Sequence, residues 1–238
     1  MGETATCLRS ACLAIAALAS GAAGAPAHPF PFDTAAMPGF SVVTAEDGAM
    51  QARDMVVIEY RGPIATPMAA HLRTIWTAIA ADPRFSRVVL RLDSPGGTQS
   101  AGEDVIAVLS DIRARVMLVT LVGDGDLCAS MCIPVFIQGE RRHASPASAW
   151  MFHGATRGLS NIPSASLTAR YLGYFDQRQV GVAFLQHLSG AGYLARPGEY
   201  WIDGTALAAE SDIVTTVDPR FKARRPDSGP AAGILPGV

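Results

Sequence analysis

The sequence holds a single lysine, Lys222, among its 238 residues. A Ser–Lys catalytic dyad therefore has no candidate lysine outside the Pro-, Gly- and Arg-containing stretch that closes the chain. Charge is sparse: Asp, Glu, Lys and Arg make up 17% of the residues and the formal net charge is -2. With no basic excess and no run of like charge, neither nucleic acid nor an anionic membrane surface is indicated as a partner. The sequence also lacks a Gly-x-Gly-x-x-Gly pattern and a lysine following a glycine loop, which excludes the dinucleotide and Walker phosphate fingerprints. The apolar run at residues 11–19 is short for a membrane span, and Gly21, Gly24 and Pro26 interrupt the stretch after it. Cysteine is confined to Cys7, Cys12, Cys128 and Cys132.

What is present is enough apolar material for one globular domain with tails, since 49% of the residues are hydrophobic. Residues 1–27 read as an export signal: Arg9, the apolar run, then small residues through Ala27. Cleavage is expected after Ala22, Ala23 or Ala27, in a periplasmic or secreted protein; an uncleaved signal would instead anchor the chain to the membrane. Cleavage removes Cys7 and Cys12 and leaves Cys128 and Cys132 as a pair in an oxidising compartment. Residues 28–52 read as an N-terminal extension, 53–218 as the folded domain and 219–238 as a flexible tail.

Within the domain, strands and helices alternate. A strand is predicted at 55–60, with a further one at 40–44 in the extension. Thr66-Pro67 opens a helix, with Thr66 as a hydroxyl cap and Pro at the first helical position; it carries Met68, Leu72, Ile75, Trp76 and Ile79 on one stripe and ends at Asp82-Pro83. A buried-type strand at 87–92 runs into Asp93-Ser94-Pro95-Gly96-Gly97, and Ser100 with Glu103 forms a capping box for the next helix. A strand at 116–122 leads through a polar turn to Cys128-Ala129-Ser130-Met131-Cys132 and a helix reaching Gln138. A short strand at 148–152 ends at His153. One long helix is predicted over 164–188, a short one over 201–209, and a last strand near 213–217. This order gives an α/β fold with a largely parallel sheet flanked by helices. Ser130, among small residues between two apolar runs, has the layout of a nucleophile at a sharp strand-to-helix turn beside free backbone N–H groups. Cys128, Cys132 and His153 could also serve as metal ligands, but no fourth ligand accompanies them, so no metal is expected.

Four segments resemble the Clp protease proteolytic subunit and its relatives in the Clp/crotonase superfamily, in particular exported bacterial Clp-like proteins. They are Ile58-Glu59-Tyr60-Arg61-Gly62-Pro63-Ile64, Leu90-Arg91-Leu92-Asp93-Ser94-Pro95-Gly96-Gly97, Cys128-Ala129-Ser130-Met131 and Ser148-Ala149-Trp150-Met151-Phe152-His153, in family order across residues 55–217. The resemblance implies a fold of repeated ββα/βαβ units, Ser130 as nucleophile and His153 as general base. It places the orienting acid at Glu199, or at Asp203 if the alignment shifts by a few residues. It puts the oxyanion donors at Gly96-Gly97, with Gly96 preferred, and at the N–H of Met131. Where the family usually has Ala or Gly, this chain has Cys128 and Cys132, which could close a disulfide if their Cα atoms lie within about 7 Å.

The function implied is an exported serine peptidase-like hydrolase that needs no cofactor, acts on peptide or unfolded protein, and forms a homo-oligomer. An exported protein is expected to work without an ATPase partner. Two other readings stand beside it. One is a catalytically inert Clp-like peptide-binding or scaffold protein. The other is a crotonase-type acyl-CoA enzyme, for which the sequence offers no pair of glutamates near the glycines.

Overall fold

The computed structural model describes residues 33–44, 54–158 and 160–219. The expected export signal, its cysteines, and residues 220–238 of the tail lie outside the described residues. Among the described residues no helix is long and apolar enough to cross a membrane.

The main sheet has six strands in the order β1-β2-β3-β4-β6-β9. They are β1 (Phe40–Thr44), β2 (Met55–Arg61), β3 (Arg87–Asp93), β4 (Met117–Val122), β6 (Arg141–Ala144) and β9 (Thr216–Val217). β1 pairs antiparallel with β2, and every other pairing in this sheet is parallel. β1 comes from the stretch that the sequence reads as an extension ahead of the domain. Parallel neighbours need long crossovers, which α1 (Thr66–Ala80) and α2 (Gln99–Arg113) supply between β2, β3 and β4. Both helices bury an apolar stripe: Met68, Leu72, Ile75, Trp76 and Ile79 from α1, and Val105, Val108, Leu109 and Ile112 from α2. Strands β2 and β3 bring Val56, Ile58, Leu90 and Leu92 to the same core. On the opposite face Val89, Val119 and Leu121, with Met55 and Val57, floor an open cavity of about 560 Å³.

A second sheet carries the candidate site. It has three strands in the order β5-β7-β8, namely β5 (Leu127–Ala129), β7 (Ala149–Phe152) and β8 (Tyr200–Asp203). β5 and β7 are parallel, β7 and β8 antiparallel. The two sheets are spliced at Ser94, whose N–H donates to Leu127 O (2.7 Å) and whose carbonyl accepts from Ala129 N–H (3.0 Å). Trp150 is fully buried at the centre of this sheet, edge-on to Phe136 (ring centroids 4.8 Å apart), with its Nε1 donating to Ser148 Oγ (2.9 Å).

Several local expectations are corrected. The single helix expected over 164–188 is two, α4 (Ala165–Arg178) and α5 (Val182–Gly190). Gln179 (φ 52°) and Gly181 (φ 70°) take left-handed conformations between them, which stops helical hydrogen bonding. The helix expected to begin at Trp201 begins at Gly204: residues 200–203 are strand β8, and α6 is Gly204–Glu210, capped by Asp203. β5 and β6 were not expected as strands. Thr98, not Ser100, caps α2, its Oγ1 accepting from Ala101 N–H, while Glu103 turns to Arg170 and Tyr174 on α4. Thr66 gives α1 no side-chain cap, because Ala65 occupies the N-cap position.

Trp150→Ala is expected to lower unfolding stability by about 3–5 kcal/mol, through lost burial and the cavity left against Phe136. Urea unfolding followed by circular dichroism measures this, and a change within about 0.5 kcal/mol would refute the packing account.

Candidate active site

Ser130 sits directly after β5 and before α3 (Cys132–Phe136). Its φ of 52° lies in the left-handed region, which costs a non-glycine residue about 1–2 kcal/mol. Such a backbone persists only where its surroundings fix it. Here the Ser130 N–H donates to Met151 O (2.9 Å) and the Ser130 carbonyl accepts from Ile133 N–H (3.0 Å). The residue is partly exposed, whereas Cys128, Ala129, Met131 and Cys132 around it are buried.

Glycine is required opposite this turn. Gly96 has a φ of 92°, and a Cβ placed on it would lie 2.6 Å from Ala129 O, 2.8 Å from Ser130 Cβ and 3.0 Å from Met131 N. A Cβ on Gly97 would overlap the Ile64 carbonyl at 1.9 Å. The Ser-Pro-Gly-Gly turn thus lies flush against both the serine and the Met131 amide. Gly96 N–H contacts the buried Ser94 Oγ at 3.2 Å, a long hydrogen bond. Among the described residues no acceptor bonds the N–H of Gly97 or Met131. The Met131 N–H is therefore unoccupied directly after the serine and the Gly97 N–H is unoccupied in the turn that packs against it, donors of the kind that stabilise a developing oxyanion.

His153 follows β7, the strand paired with the serine's own β5 in the register Ala129↔Met151. It is half-buried, and its Nδ1 lies 2.8 Å from Gly154 O. A carbonyl only accepts, so a neutral imidazole here carries its proton on Nδ1 and leaves Nε2 as the acceptor a general base needs.

The two candidate acids occupy opposite ends of β8. The antiparallel register runs from Ala149↔Asp203 to Phe152↔Tyr200, so Glu199 and His153 both lie just beyond the same end of it. Asp203 is four residues away, about 13 Å along a strand, and its carboxylate accepts from Ala206 N–H at the start of α6 (2.8 Å). The Glu199 carboxylate is exposed and accepts from Trp201 Nε1 (2.9 Å). Among the described residues no carboxylate is hydrogen-bonded to His153. Cys128 and Cys132 are joined in a disulfide with their Cα atoms 5.2 Å apart. Their sulfurs are thus consumed, and the alternative of a metal held by Cys128, Cys132 and His153 is withdrawn.

Sequence reasoning missed the charged cluster that holds β5 in place. Arg91 bonds Asp126 (2.7 Å) and approaches Glu59 (3.7 Å), and Arg61 bonds Asp93 (2.7 Å). Asp93 Oδ1 in turn accepts from Leu127 N–H (3.1 Å), the first residue of β5. Burial pushes the Asp126 carboxyl above the ordinary carboxylate range, against the opposing pull of Arg91. An arginine inside an otherwise apolar strand was the available signal, because a half-buried guanidinium needs carboxylate partners.

Comparison with known proteins fits this fold. The solved structure of ClpP1 from Listeria monocytogenes, in an asparagine-to-aspartate mutant, is similar with a TM-score of 0.54. The two share 16% sequence identity over 71% of this chain and 92% of that one, a likeness of fold. No curated protein matches the sequence. The family model described as Clp protease matches residues 44–177, more than half of the chain, and the chain belongs to the Clp protease family.

Proposed function

We propose that the protein is a serine peptidase-type hydrolase, with Ser130 as nucleophile, His153 as general base and Glu199 as the acid that orients the imidazole. The observation that carries this reading is the left-handed Ser130 seated against Gly96, with the unoccupied Met131 N–H beside it. Such a turn exposes a hydroxyl and an oxyanion donor toward one reacting carbonyl. In the reaction Ser130 Oγ attacks the scissile carbonyl carbon and its proton passes to His153 Nε2. The oxyanion is bonded by Met131 N–H and by an amide of Gly96-Gly97. The imidazolium then protonates the leaving amine, and water, deprotonated by the same nitrogen, releases the acyl group from Ser130. Glu199 reaches His153 Nδ1 by leaving Trp201, in competition with the Gly154 carbonyl. β-register favours it over Asp203, which is engaged as a helix cap.

Substrates are peptides or unfolded segments, which can lie extended along the glycine turn by backbone pairing. The buried disulfide supports an exported, oxidising location, and that setting implies action without an ATPase. A homo-oligomer is part of the same proposal. One observation favours an inert peptide-binding protein instead: the Glu199 carboxylate rests on Trp201 and not on His153.

Wild type is expected to be labelled by a fluorophosphonate probe, and Ser130→Ala to abolish the labelling. A folded wild type that neither labels nor cleaves a fluorogenic peptide would favour the inert reading. Glu199→Gln is expected to lower kcat by about tenfold or more, with Asp203→Asn within about twofold of wild type. The reverse order would move the acid to Asp203.

Gly96→Ala is expected to cut labelling by about a hundredfold, because its Cβ meets Ser130 and Met131. Gly125→Ala serves as the control: Gly125 shares a positive φ (71°) but has nothing within 4 Å of an added Cβ. It should cost only backbone strain, about 1 kcal/mol, and leave labelling unchanged. Equal loss in both variants would remove the close-approach argument.

A further inference from the structure

The disulfide takes no part in the chemistry above, yet it brackets the residue that performs it. Cys128 is the central residue of β5, bridged to Ser94 on one side and paired with Trp150 on the other. Cys132 is the first residue of α3. The S–S bond therefore closes a ring around Ala129, Ser130 and Met131, from a strand fixed on both sides to the start of a helix.

That helix has little means of holding itself. α3 has five residues, contains Pro134, and has Met131 at its N-cap position with no side-chain cap hydrogen bond. A helix of this length is unstable alone, and its first turn lacks the acceptor that usually steadies it. On the helix side, the backbone hold on Ser130 among the described residues is one hydrogen bond, from Ile133 N–H. Both cysteines are 0% exposed, and two unbonded sulfurs cannot remain at bonding distance. Breaking the bond obliges the sulfurs to part inside a packed site, and the movement most readily available is of the weakly held first turn of α3 away from β5. Ser130 and the Met131 N–H lie between those two points, so the hydroxyl and the oxyanion donor shift with them.

We propose that the Cys128–Cys132 disulfide is a positioning element for Ser130 and the Met131 amide, and that its reduction by a dithiol lowers the reactivity of Ser130. In the reduction the dithiol supplies two electrons and two protons: the S–S bond breaks, two thiols form, and the reagent closes its own disulfide. Because the bond is buried, the reagent reaches it only when the turn opens locally, so reduction is slow in the native protein. The effect on reactivity rests on the hydrolase reading of Ser130; the effect on the turn does not.

The test compares oxidised and dithiothreitol-reduced protein, with the thiols at Cys128 and Cys132 located by alkylation and peptide mass. On reduction, hydrogen exchange at residues 131–133 is expected to quicken by about tenfold or more while β3 and β4 keep their protection. Fluorophosphonate labelling is expected to slow by about tenfold or more through its limiting rate, with half-saturation within about twofold, and to recover on reoxidation. The double variant Cys128→Ala, Cys132→Ala should match the reduced protein and ignore dithiothreitol. Unchanged exchange at 131–133 in the reduced protein overturns the positioning role whatever the activity. Faster exchange with unaltered labelling overturns the link to reactivity. Should the oxidised protein never label, the hydrolase reading falls, and the exchange measurement still decides whether the disulfide holds the turn.

Discussion

The two hydrogen bonds at Ser94 are the constraint on which the structure turns. They hang β5 on the end of β3, and through β5 they suspend the three-stranded sheet from the six-stranded one. Everything placed near the serine inherits its position from that splice. The serine follows β5, the histidine follows the strand paired with β5, and Glu199 precedes the strand paired with that one. The Arg61, Arg91, Asp93 and Asp126 cluster secures the same junction from the side, since Asp93 binds both an arginine and the first amide of β5. The Arg91–Asp126 pair is the buried part of this cluster and the part that is costly to desolvate, and it lies at the joint between two sheets.

Strain at Ser130 is the counterpart of this rigidity. A left-handed serine is tolerated because the backbone on both sides is bonded and because Gly96 leaves room for it. The paired glycines do different jobs. Gly96 allows the turn to lie against the serine, and Gly97 allows the chain after β2 to pass at Ile64.

How much of this the sequence disclosed depended on which signals were strong. The stripe of Met68, Leu72, Ile75, Trp76 and Ile79 marked α1, and the continuous Val88, Val89, Leu90 run marked β3, because those elements bury one face or both against a large core. The nearness of the Ser-Pro-Gly-Gly turn to Ser130 was implied by the family resemblance alone, and the structure supplies the steric reason for glycine there. β5 and β6 were not legible. Each is four residues or fewer, and β6 reads Arg-Arg-His-Ala, with Arg142 buried by donating to the carbonyls of Gly139, Asp212 and Ile213. Pairing with distant segments makes such strands, and local sequence does not report it. The break after α4 was hidden for a related reason: apolar spacing continues through Gln179 to Gly181 while the backbone reverses hand. Glu103 meets Arg170 and Tyr174 across the fold, so the capping box was misread, and the choice between Glu199 and Asp203 turned on how β8 pairs with β7.

The antiparallel pairing of β7 with β8 has a consequence for how this region can change length. Residues 191–198 connect α5 to β8 outside any sheet, so insertions or deletions there alter the connection and leave the strand alignment intact. A single residue gained or lost between Tyr200 and Asp203 would instead slide every side chain on that strand by one position and turn it to the other face. Length variation among descendants of this sequence should therefore gather before Glu199 and halt at it.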